Sequence, residues 1–176
     1  FQPNTGPQTD FLASPEKEVL YGGAAGGGKS YAMLMDLLRY ADNKNCRALL
    51  LRRTLAELTE LIDKSKQIYP KAFPKARFKE SVKTWEFPSG ATAMFSYVDK
   101  DDDVYRYQGQ SFTWIGIDEL GHYPTPYVWN YLRSRLRTTD PDVQTYMRAS
   151  ANPGGSGGWW VKKMFVDSNP PNQPFW

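Results

Sequence analysis

Cysteine and histidine are almost missing from this sequence, which contains one of each among its 176 residues. Cys46 has no second cysteine for an internal disulfide, and it lacks the companion ligands of a zinc site. A reducing compartment is therefore the simpler expectation. Long apolar runs are also missing, because none approaches the ~18 residues that cross a membrane. We expect no contact with a membrane.

A strong excess of either charge is absent as well. The net charge is +3, with 40% hydrophobic and 23% charged residues. This composition is ordinary for a soluble globular protein, and it permits a polyanionic partner without requiring one. The length suits one domain with a full core, which we place over residues 1–176. Because the sequence starts at Phe1 rather than at Met and stops at Trp176, we expect a fragment of a longer protein.

Glycine is concentrated in one stretch, residues 22–28, that leads into Lys29 and Ser30. The segment matches the Walker A pattern of phosphate-binding loops, Gly-x-x-x-x-Gly-Lys-Ser. Glycines let successive backbone N–H groups curl around phosphate oxygens. Lys29 would reach the β and γ phosphates, and the Ser30 hydroxyl would bind Mg²⁺. A glycine-rich turn is the alternative, but a strand pattern before the loop and a helix pattern after it favour nucleotide binding. The loop consists of Gly23, Ala24, Ala25, Gly26, Gly27, Gly28, Lys29 and Ser30.

A second polar segment, Asp118 and Glu119, follows the apolar run that begins at Trp114. Apolar residues followed by Asp and Glu are typical of a Walker B strand. Ligands of a parallel sheet lie beyond the carboxyl ends of its strands, so Asp118 would come near the phosphate-binding loop. Its carboxylate suits Mg²⁺, and Glu119 could orient or activate the attacking water. A strand followed by an acidic turn is the alternative, which the upstream Walker A loop disfavours.

A third polar strand end is formed by Ser150, Ala151 and Asn152. Short hydroxyl and amide side chains at this place could bond to the γ phosphate or the water and report whether that phosphate is still attached. An Asn-Pro turn is the alternative. The position at the end of a strand of the same sheet favours the functional interpretation.

Alternating strand and helix patterns predict an α/β sandwich with a mostly parallel sheet and a β-hairpin insertion. Thr54 and Glu57 would form a capping box, and the helix they begin would end before Pro70. Strands are expected at 18–21, 47–52, 111–117 and 143–148, helices at 30–39, 55–69 and 125–137, a short amphipathic stretch at 159–166, and the hairpin at 84–87 and 91–97.

Two charged stretches have ordinary interpretations. Residues 64–83 hold many basic side chains, and a solvated loop is favoured over a nucleic-acid contact. Residues 99–103 hold four aspartates, and a polar helix start or exposed turn is favoured over a metal site.

Gln8, the Walker A loop, Asp118-Glu119 and the Ser150–Asn152 segment occur in an order that resembles the ATPase domain of the large terminase subunit of tailed bacteriophages. That domain belongs to the additional-strand, catalytic-glutamate class of P-loop NTPases. The resemblance covers residues 7–165 approximately. It implies a motor that hydrolyses ATP with Mg²⁺ and packages double-stranded DNA into procapsids.

The resemblance also implies roles and partners. Gln8 would read adenine, and Ser150, Ala151 and Asn152 would form the coupling motif. Lys29 and Ser30 would contact the phosphates and the metal, Asp118 would bind the metal and Glu119 would be catalytic. The partners would be double-stranded DNA, further copies of the chain in a pentameric ring, the portal protein and the small terminase subunit. The location would be the cytoplasm of the infected bacterium.

The sequence departs from the family pattern in two respects. Many terminases carry an arginine in Walker A, whereas positions 24–27 hold only alanine and glycine. Arg106 of a neighbouring subunit is our candidate for the missing arginine finger. The other candidates for the arginine finger are Arg52, Arg53, Arg133, Arg135 and Arg137. The second departure is that no acidic cluster follows Asp167, so we expect no nuclease activity.

Two other classes of protein share such a nucleotide core. A helicase-like nucleic-acid translocase of the DEAD or DExH kind needs Asp or His two residues after Glu119, where Gly121 stands. His122 is one position too late, and we interpret it as a surface loop residue. A P-loop kinase or nucleotide switch does not usually need an Asp-Glu pair at a strand end.

Overall fold

One mixed sheet organises the protein, whose computed structural model describes residues 2–26 and 28–168. The strands of that part are β1 (Glu18–Gly22), β2 (Arg47–Arg52), β3 (Arg77–Lys79), β4 (Thr84–Glu86), β5 (Thr92–Tyr97), β6 (Trp114–Ile117) and β7 (Tyr146–Ala151). They lie in the order β1-β7-β6-β2-β5-β4-β3. The neighbouring strands β1, β7, β6, β2 and β5 all run parallel to one another. Strands β4 and β3 continue the sheet beyond β5 with antiparallel pairing. The predicted α/β fold is confirmed, and the predicted hairpin, β4 and β5, belongs to the same sheet, with β3 at its edge.

Helices cover both faces of this sheet. They are α1 (Pro7–Ala13), α2 (Lys29–Asp36), α3 (Leu55–Ala72), α4 (Tyr127–Arg133) and α5 (Gly158–Lys162), with 3₁₀ turns at Leu37–Tyr40, Glu80–Val82, Asp101–Tyr107 and Leu120–His122 and a π-helical turn at Lys163–Asp167. In β2, Leu50 joins the core under α1, α2 and α3, whereas Leu49 and Leu51 join the core under α4 and α5. This strand is buried on both faces, as its continuous apolar sequence predicts. None of the described helices has the length and apolarity of a membrane span.

The helix after β2 begins at the predicted capping box but ends later than predicted. Thr54 Oγ1 accepts a hydrogen bond from Glu57 N (3.3 Å), and Glu57 Oε2 accepts one from Thr54 N (3.1 Å). The prediction that this helix ends before Pro70 is wrong, because Pro70 lies inside α3. Proline lacks an N–H group and removes one hydrogen bond of the helix, which continues for only two residues beyond it. Phe73 N still bonds to Tyr69 O at 2.8 Å.

The basic stretch at 64–83 contains the end of α3 and a strand, which corrects its interpretation as a loop. Its strand β3 pairs with β4. Phe78 packs against Trp85 with ring centroids 5.3 Å apart, and Lys79 forms an ion pair with Glu86 at 2.7 Å. Phe78 is a single aromatic residue among many charged ones, so the sequence gives only a weak indication of a strand. The contacts of β3 with Trp85 and Glu86 on β4 stabilise the strand.

Strand β7 lies further along the chain than the predicted 143–148, so Ser150 and Ala151 belong to it. All of its residues are buried, because it runs between β1 and β6. The sequence does not indicate that β7 is fully buried, because Arg148 carries a charge. Its guanidinium faces Asp36 at 3.4 Å and donates hydrogen bonds to carbonyl groups of the segment before β1. Strand β6 and helix α4 are shorter than predicted.

Gly116 gives space to an indole that ties β6 to α2. Trp114 precedes it by two residues on the same side of the strand, and Trp114 Nε1 donates to Asp36 Oδ2 at 2.9 Å. A Cβ at Gly116 would lie 2.1 Å from Trp114 Cη2 and 2.9 Å from Met33 Cε. The indole is buried and anchored, so it cannot move aside freely.

Gly116→Ala should therefore lower the free energy of unfolding by about 1–3 kcal/mol, the usual cost of overpacking a core. The matched control is Gly158→Ala, since a Cβ at that position meets no atom within 4 Å. Urea denaturation followed by tryptophan fluorescence measures both variants. Equal stability of the two would contradict the argument that the indole is held in place.

Candidate nucleotide-binding site

The ends of β1, β2, β6 and β7 and the start of α2 meet at a cleft of about 470 Å³. Parallel strands present their carboxyl ends at one edge of the sheet, which brings residues together that are far apart in the sequence. The cleft is lined in part by Lys29, Ser30, Arg52, Glu119, His122 and Asn152.

The predicted Walker A segment forms a loop between β1 and α2, as expected. Gly23, Gly26 and Gly28 have φ angles of 135°, 85° and 72°, a region that favours glycine. Lys29 is the first residue of α2 and is buried. Its Nζ donates to the carbonyl oxygens of Gly23 (3.0 Å) and Ala24 (2.6 Å). The loop thus folds around the lysine head group, while Gly27 lies outside the described residues.

Ser30 and Asp118 form the centre of the site. Ser30 Oγ donates to Asp118 Oδ2 at 3.0 Å, and the Asp118 side chain has no solvent exposure. Hydroxyl and carboxylate oxygens are ligands that Mg²⁺ accepts, and Mg²⁺ usually keeps several waters and takes few protein groups. Among the described residues no group of three or more His, Cys, Asp or Glu side chains could hold a metal. One hydroxyl and one carboxylate oxygen fit a Mg²⁺ ion that phosphates and waters also coordinate.

Glu119 is held in an unusual backbone conformation. Its φ angle is 61°, in the left-handed region, where a non-glycine residue costs roughly 1–2 kcal/mol. Glu119 N donates to Ser150 Oγ at 3.0 Å, and the same hydroxyl donates to Asp118 Oδ1. Asn152 Nδ2 lies 3.3 and 3.2 Å from the two carboxylate oxygens of Glu119. The two predicted strand ends therefore meet in one network.

One polar atom of this network is unsatisfied. Asn152 Oδ1 is buried and has no hydrogen-bond partner among the described residues. Buried acceptors are normally paired, with protein or with ordered water. Its place beside Glu119 suits an incoming donor, such as a water molecule at the carboxylate.

Gln8 packs directly against the Walker A loop. Its Nε2 donates to Gly28 O at 3.0 Å, and its Oε1 accepts a hydrogen bond from Asn4 N at 2.6 Å. A neighbouring cavity of about 340 Å³ is lined by Gln8, Tyr31 and Lys71 among others. The amide keeps one N–H and one lone pair for a further partner.

Arg52 belongs to the site although its role is not recognisable in the sequence, where it appears only among the competing arginines. It is 6% exposed, and its Nε and Nη2 lie 2.8 and 2.6 Å from Asp118 Oδ2. Burial alone would lower the pKa of Arg52. The attraction and hydrogen bonds of Asp118, with smaller contributions from Glu60 and Glu119, raise that pKa instead, so the guanidinium stays charged. An arginine that ends a strand next to the Walker B strand is the signal that could have revealed this contact.

His122 lies in a turn and is partly exposed, as the surface-loop interpretation predicts, and it also lines the cleft. Its side chain is 41% exposed, and it follows β6 in a 3₁₀ turn. His122 Nδ1 is 3.3 Å from Glu57 Oε1, and Nε2 is 3.9 Å from Glu119 Oε2. The turn after the Walker B strand therefore brings an imidazole between two carboxylates.

Arg106 is not among the described residues that line the cleft. Its Nε donates to Asp103 O at 3.1 Å, and its guanidinium lies over the Tyr97 ring at 5.5 Å from the centroid. The side chain is 42% exposed. Residues 99–103 lead into the 3₁₀ turn that begins at Asp101. Asp103 accepts hydrogen bonds from the main-chain N–H groups of Asp99 and Lys100, as the helix-start interpretation predicts.

Comparison with known proteins identifies related folds. The large terminase of a thermophilic bacteriophage superposes with a TM-score of 0.73 at 18% identity, covering 94% of this chain and 43% of that chain. The HK97 bacteriophage large terminase gives 0.68 at 11% identity, with 95% and 40% covered. The ATPase domain of the Thermus phage P74-26 large terminase gives 0.66 at 13% identity, with 99% and 73% covered. No curated protein sequence matches the chain.

These structures define a shared fold, and the chain spans less than half the length of the first two terminases. The first of them is also known in complex with ADP and with ATP-gamma-S. Residues 20–171 match the family model described as terminase large subunit, T4likevirus-type, N-terminal. This match covers most of the chain, and the chain therefore belongs to the family of terminase large subunits, within their N-terminal region.

Proposed function

We propose that this chain is the ATP-hydrolysing domain of a viral motor that packages double-stranded DNA into procapsids. The observation that carries the proposal is the convergence of Lys29, the Ser30–Asp118 pair and Glu119 at one cleft behind a Walker A loop. Family membership supports it, as does the shared fold with a terminase known in complex with ADP and ATP-gamma-S.

The Walker A loop would hold the nucleotide phosphates. Lys29 Nζ would exchange its carbonyl partners for phosphate oxygens, which are stronger acceptors because they are charged. The N-terminus of α2 adds its partial positive charge. Gln8 would read adenine with the N–H and the lone pair that its contacts to Gly28 and Asn4 leave available.

Ser30 and Asp118 are the residues that would hold Mg²⁺. Both present hard oxygen atoms at the loop. When bound, the metal supplies neutralisation of phosphate charge. The protein contributes the position of its two oxygens, which the buried network around Asp118 maintains.

Glu119 would act on the attacking water. The water oxygen forms a bond to the γ phosphorus while the bond to the β–γ bridging oxygen breaks, and the Glu119 carboxylate accepts the water proton. Asn152 donates to both carboxylate oxygens and so fixes their direction. The backbone of Glu119 is left-handed at the point where its carboxylate meets Asn152.

Ser150, Ala151 and Asn152 would couple hydrolysis to movement. Ser150 Oγ bridges Asp118 and the backbone of Glu119, and Asn152 contacts the carboxylate itself. A change at the γ phosphate would thus reach β7 through direct hydrogen bonds. We further propose that the chain works in the host cytoplasm, in a homo-oligomeric ring. Its other partners would be double-stranded DNA, the portal protein and the small terminase subunit.

Product analysis tests this function directly. A packaging motor releases free phosphate from ATP, and double-stranded DNA stimulates the release in the assembled protein. Transfer of phosphate to an acceptor molecule, without free phosphate, would favour a P-loop kinase instead.

Lys29→Ala should weaken ATP binding by at least about tenfold, because the phosphates lose a charged donor inside a partly desolvated loop. Isothermal titration calorimetry measures the affinity. Lys79→Ala is the control, since Lys79 is exposed on β3 and pairs with Glu86. Unchanged ATP affinity in folded Lys29→Ala protein would refute the assignment of the loop.

Glu119→Gln should retain ATP and Mg²⁺ binding and lose hydrolysis by about 10²–10⁴-fold, because Gln has nearly the same shape but cannot accept the proton. Phosphate release in single-turnover reactions measures the loss. Glu86→Gln changes an exposed carboxylate on β4 and serves as control. Hydrolysis at the wild-type rate in Glu119→Gln would move the catalytic role elsewhere.

Arg106 should act on the active site of a neighbouring subunit, where an arginine finger contributes about 10³–10⁵ in rate. Arg106 is exposed and is not among the described residues that line the cleft of its own chain, and these two observations motivate the prediction. Lys29→Ala and Arg106→Ala subunits should each be inactive in the assembled motor, and a mixture should regain DNA-stimulated phosphate release. Arg77→Ala, an exposed arginine on β3, is the control. Full activity of Arg106→Ala alone would exclude the role.

A further inference from the structure

Arg52 is a buried cation in the middle of the proposed metal site. Its Nη2 lies 2.6 Å from Asp118 Oδ2 and donates a hydrogen bond to Ser30 Oγ at 3.2 Å. Its Nε also donates to Asp118 Oδ2, at 2.8 Å. The guanidinium therefore contacts both oxygen atoms that would hold Mg²⁺, and it does so with a positive charge.

A metal and this guanidinium cannot both occupy that position. Two cations within a few ångströms in a desolvated site repel strongly. Ser30 Oγ donates its proton to Asp118 and accepts from Arg52, so one of its two lone pairs is already used by a protein donor. A metal that binds Ser30 beside Asp118 Oδ2 would meet the Arg52 guanidinium, which contacts both oxygen atoms, and would compete with it.

The arginine has a second set of acceptors on α3. Arg52 Nη1 donates to Glu57 O at 3.2 Å and to Glu60 Oε2 at 3.5 Å. Glu60 is 58% exposed and also contacts Lys64 at 2.6 Å, so its carboxylate can follow the guanidinium. A small rotation away from Ser30 would keep Arg52 paired with a carboxylate.

We propose that Arg52 competes with Mg²⁺ for Ser30 and Asp118, so that binding of the metal–nucleotide complex moves the guanidinium towards Glu57 and Glu60 on α3. Arg52 is then a positioning residue that holds the two metal ligands together and couples metal loading to the first turns of α3. This inference rests on the proposed nucleotide site.

The two variants Arg52→Lys and Arg52→Gln separate the effects of charge and geometry. Lys keeps the charge but has no fork to reach Ser30 and Asp118 together. Gln removes the charge and with it the competition. The matched control is Arg53→Gln, because Arg53 is the next residue, carries the same side chain and bonds to His122 O instead of the metal ligands.

ADP affinity measured by calorimetry, in Mg²⁺ and in EDTA, tests the competition. In Mg²⁺, ADP should bind Arg52→Gln about tenfold more tightly than wild type, which corresponds to the charge-assisted hydrogen bond that wild type gives up. Arg52→Lys should lie between the two proteins, and Arg53→Gln should match wild type.

Thermal unfolding supplies a readout that does not depend on activity. Without nucleotide, the midpoint should fall from wild type to Arg52→Lys to Arg52→Gln, because Asp118 loses its buried partner. Saturating Mg²⁺ and ADP should largely remove this difference. A merely structural role would lower the midpoint equally under both conditions.

Unchanged or weaker ADP binding by Arg52→Gln in Mg²⁺ would overturn the competition, and the residue would then be a phosphate ligand or a structural ion pair. If Arg52→Gln does not fold, Arg52→Lys decides by the same criterion. Failure of wild type to bind ADP would overturn both this inference and the proposed function. If only the Lys29→Ala variant fails to bind ADP, the proposed nucleotide-binding function stands.

Discussion

The buried carboxylate of Asp118 is the group on which the site depends. A carboxylate without solvent contact is costly unless charged or hydrogen-bonding partners surround it. Oδ2 is paired with Ser30 and Arg52, and Oδ1 with Ser150. These partners come from α2, β2 and β7, whereas Asp118 follows β6. The requirement to neutralise one charge therefore fixes four elements around the Walker A loop, and the fold and the chemistry share the same contacts.

A second buried carboxylate, Asp36, has the same effect at the other end of α2. It accepts a hydrogen bond from Trp114 on β6 and pairs with Arg148 on β7. The helix that carries Lys29 and Ser30 is thus tied to β6 and β7 at its carboxyl end, and to Asp118 after β6 at its amino end. A displacement of α2 by bound phosphate would have to be transmitted to β6 and β7, or be resisted by them. Such ties would suit the proposed site, in which the strand ends would report the state of a nucleotide.

Much of this arrangement could be predicted from local patterns. β2 has the predicted bounds, and Thr54 caps α3 as its spacing with Glu57 indicates. The order of the polar strand ends predicts which residues meet. The predicted strand stops short of Ser150 because Arg148 carries a charge that only its buried partners explain. Pro70 lies inside α3, against the prediction, because the sequence cannot show that packing on the sheet outweighs one lost hydrogen bond.

Local sequence is sufficient for the Walker A loop, the carboxylates at the end of β6 and the α/β class, because each depends on residues that are neighbours along the chain. The partners of those residues become known only in the folded protein. Arg52 reaches Asp118 across 66 positions, and Ser30 reaches it across 88. His122 approaches Glu119 because the chain turns sharply after β6, and Asn152 approaches it because β7 lies beside β6 in the sheet. Charged side chains in a buried site attract each other according to their separation in space, and the sequence does not show how far apart two distant residues lie in the folded protein.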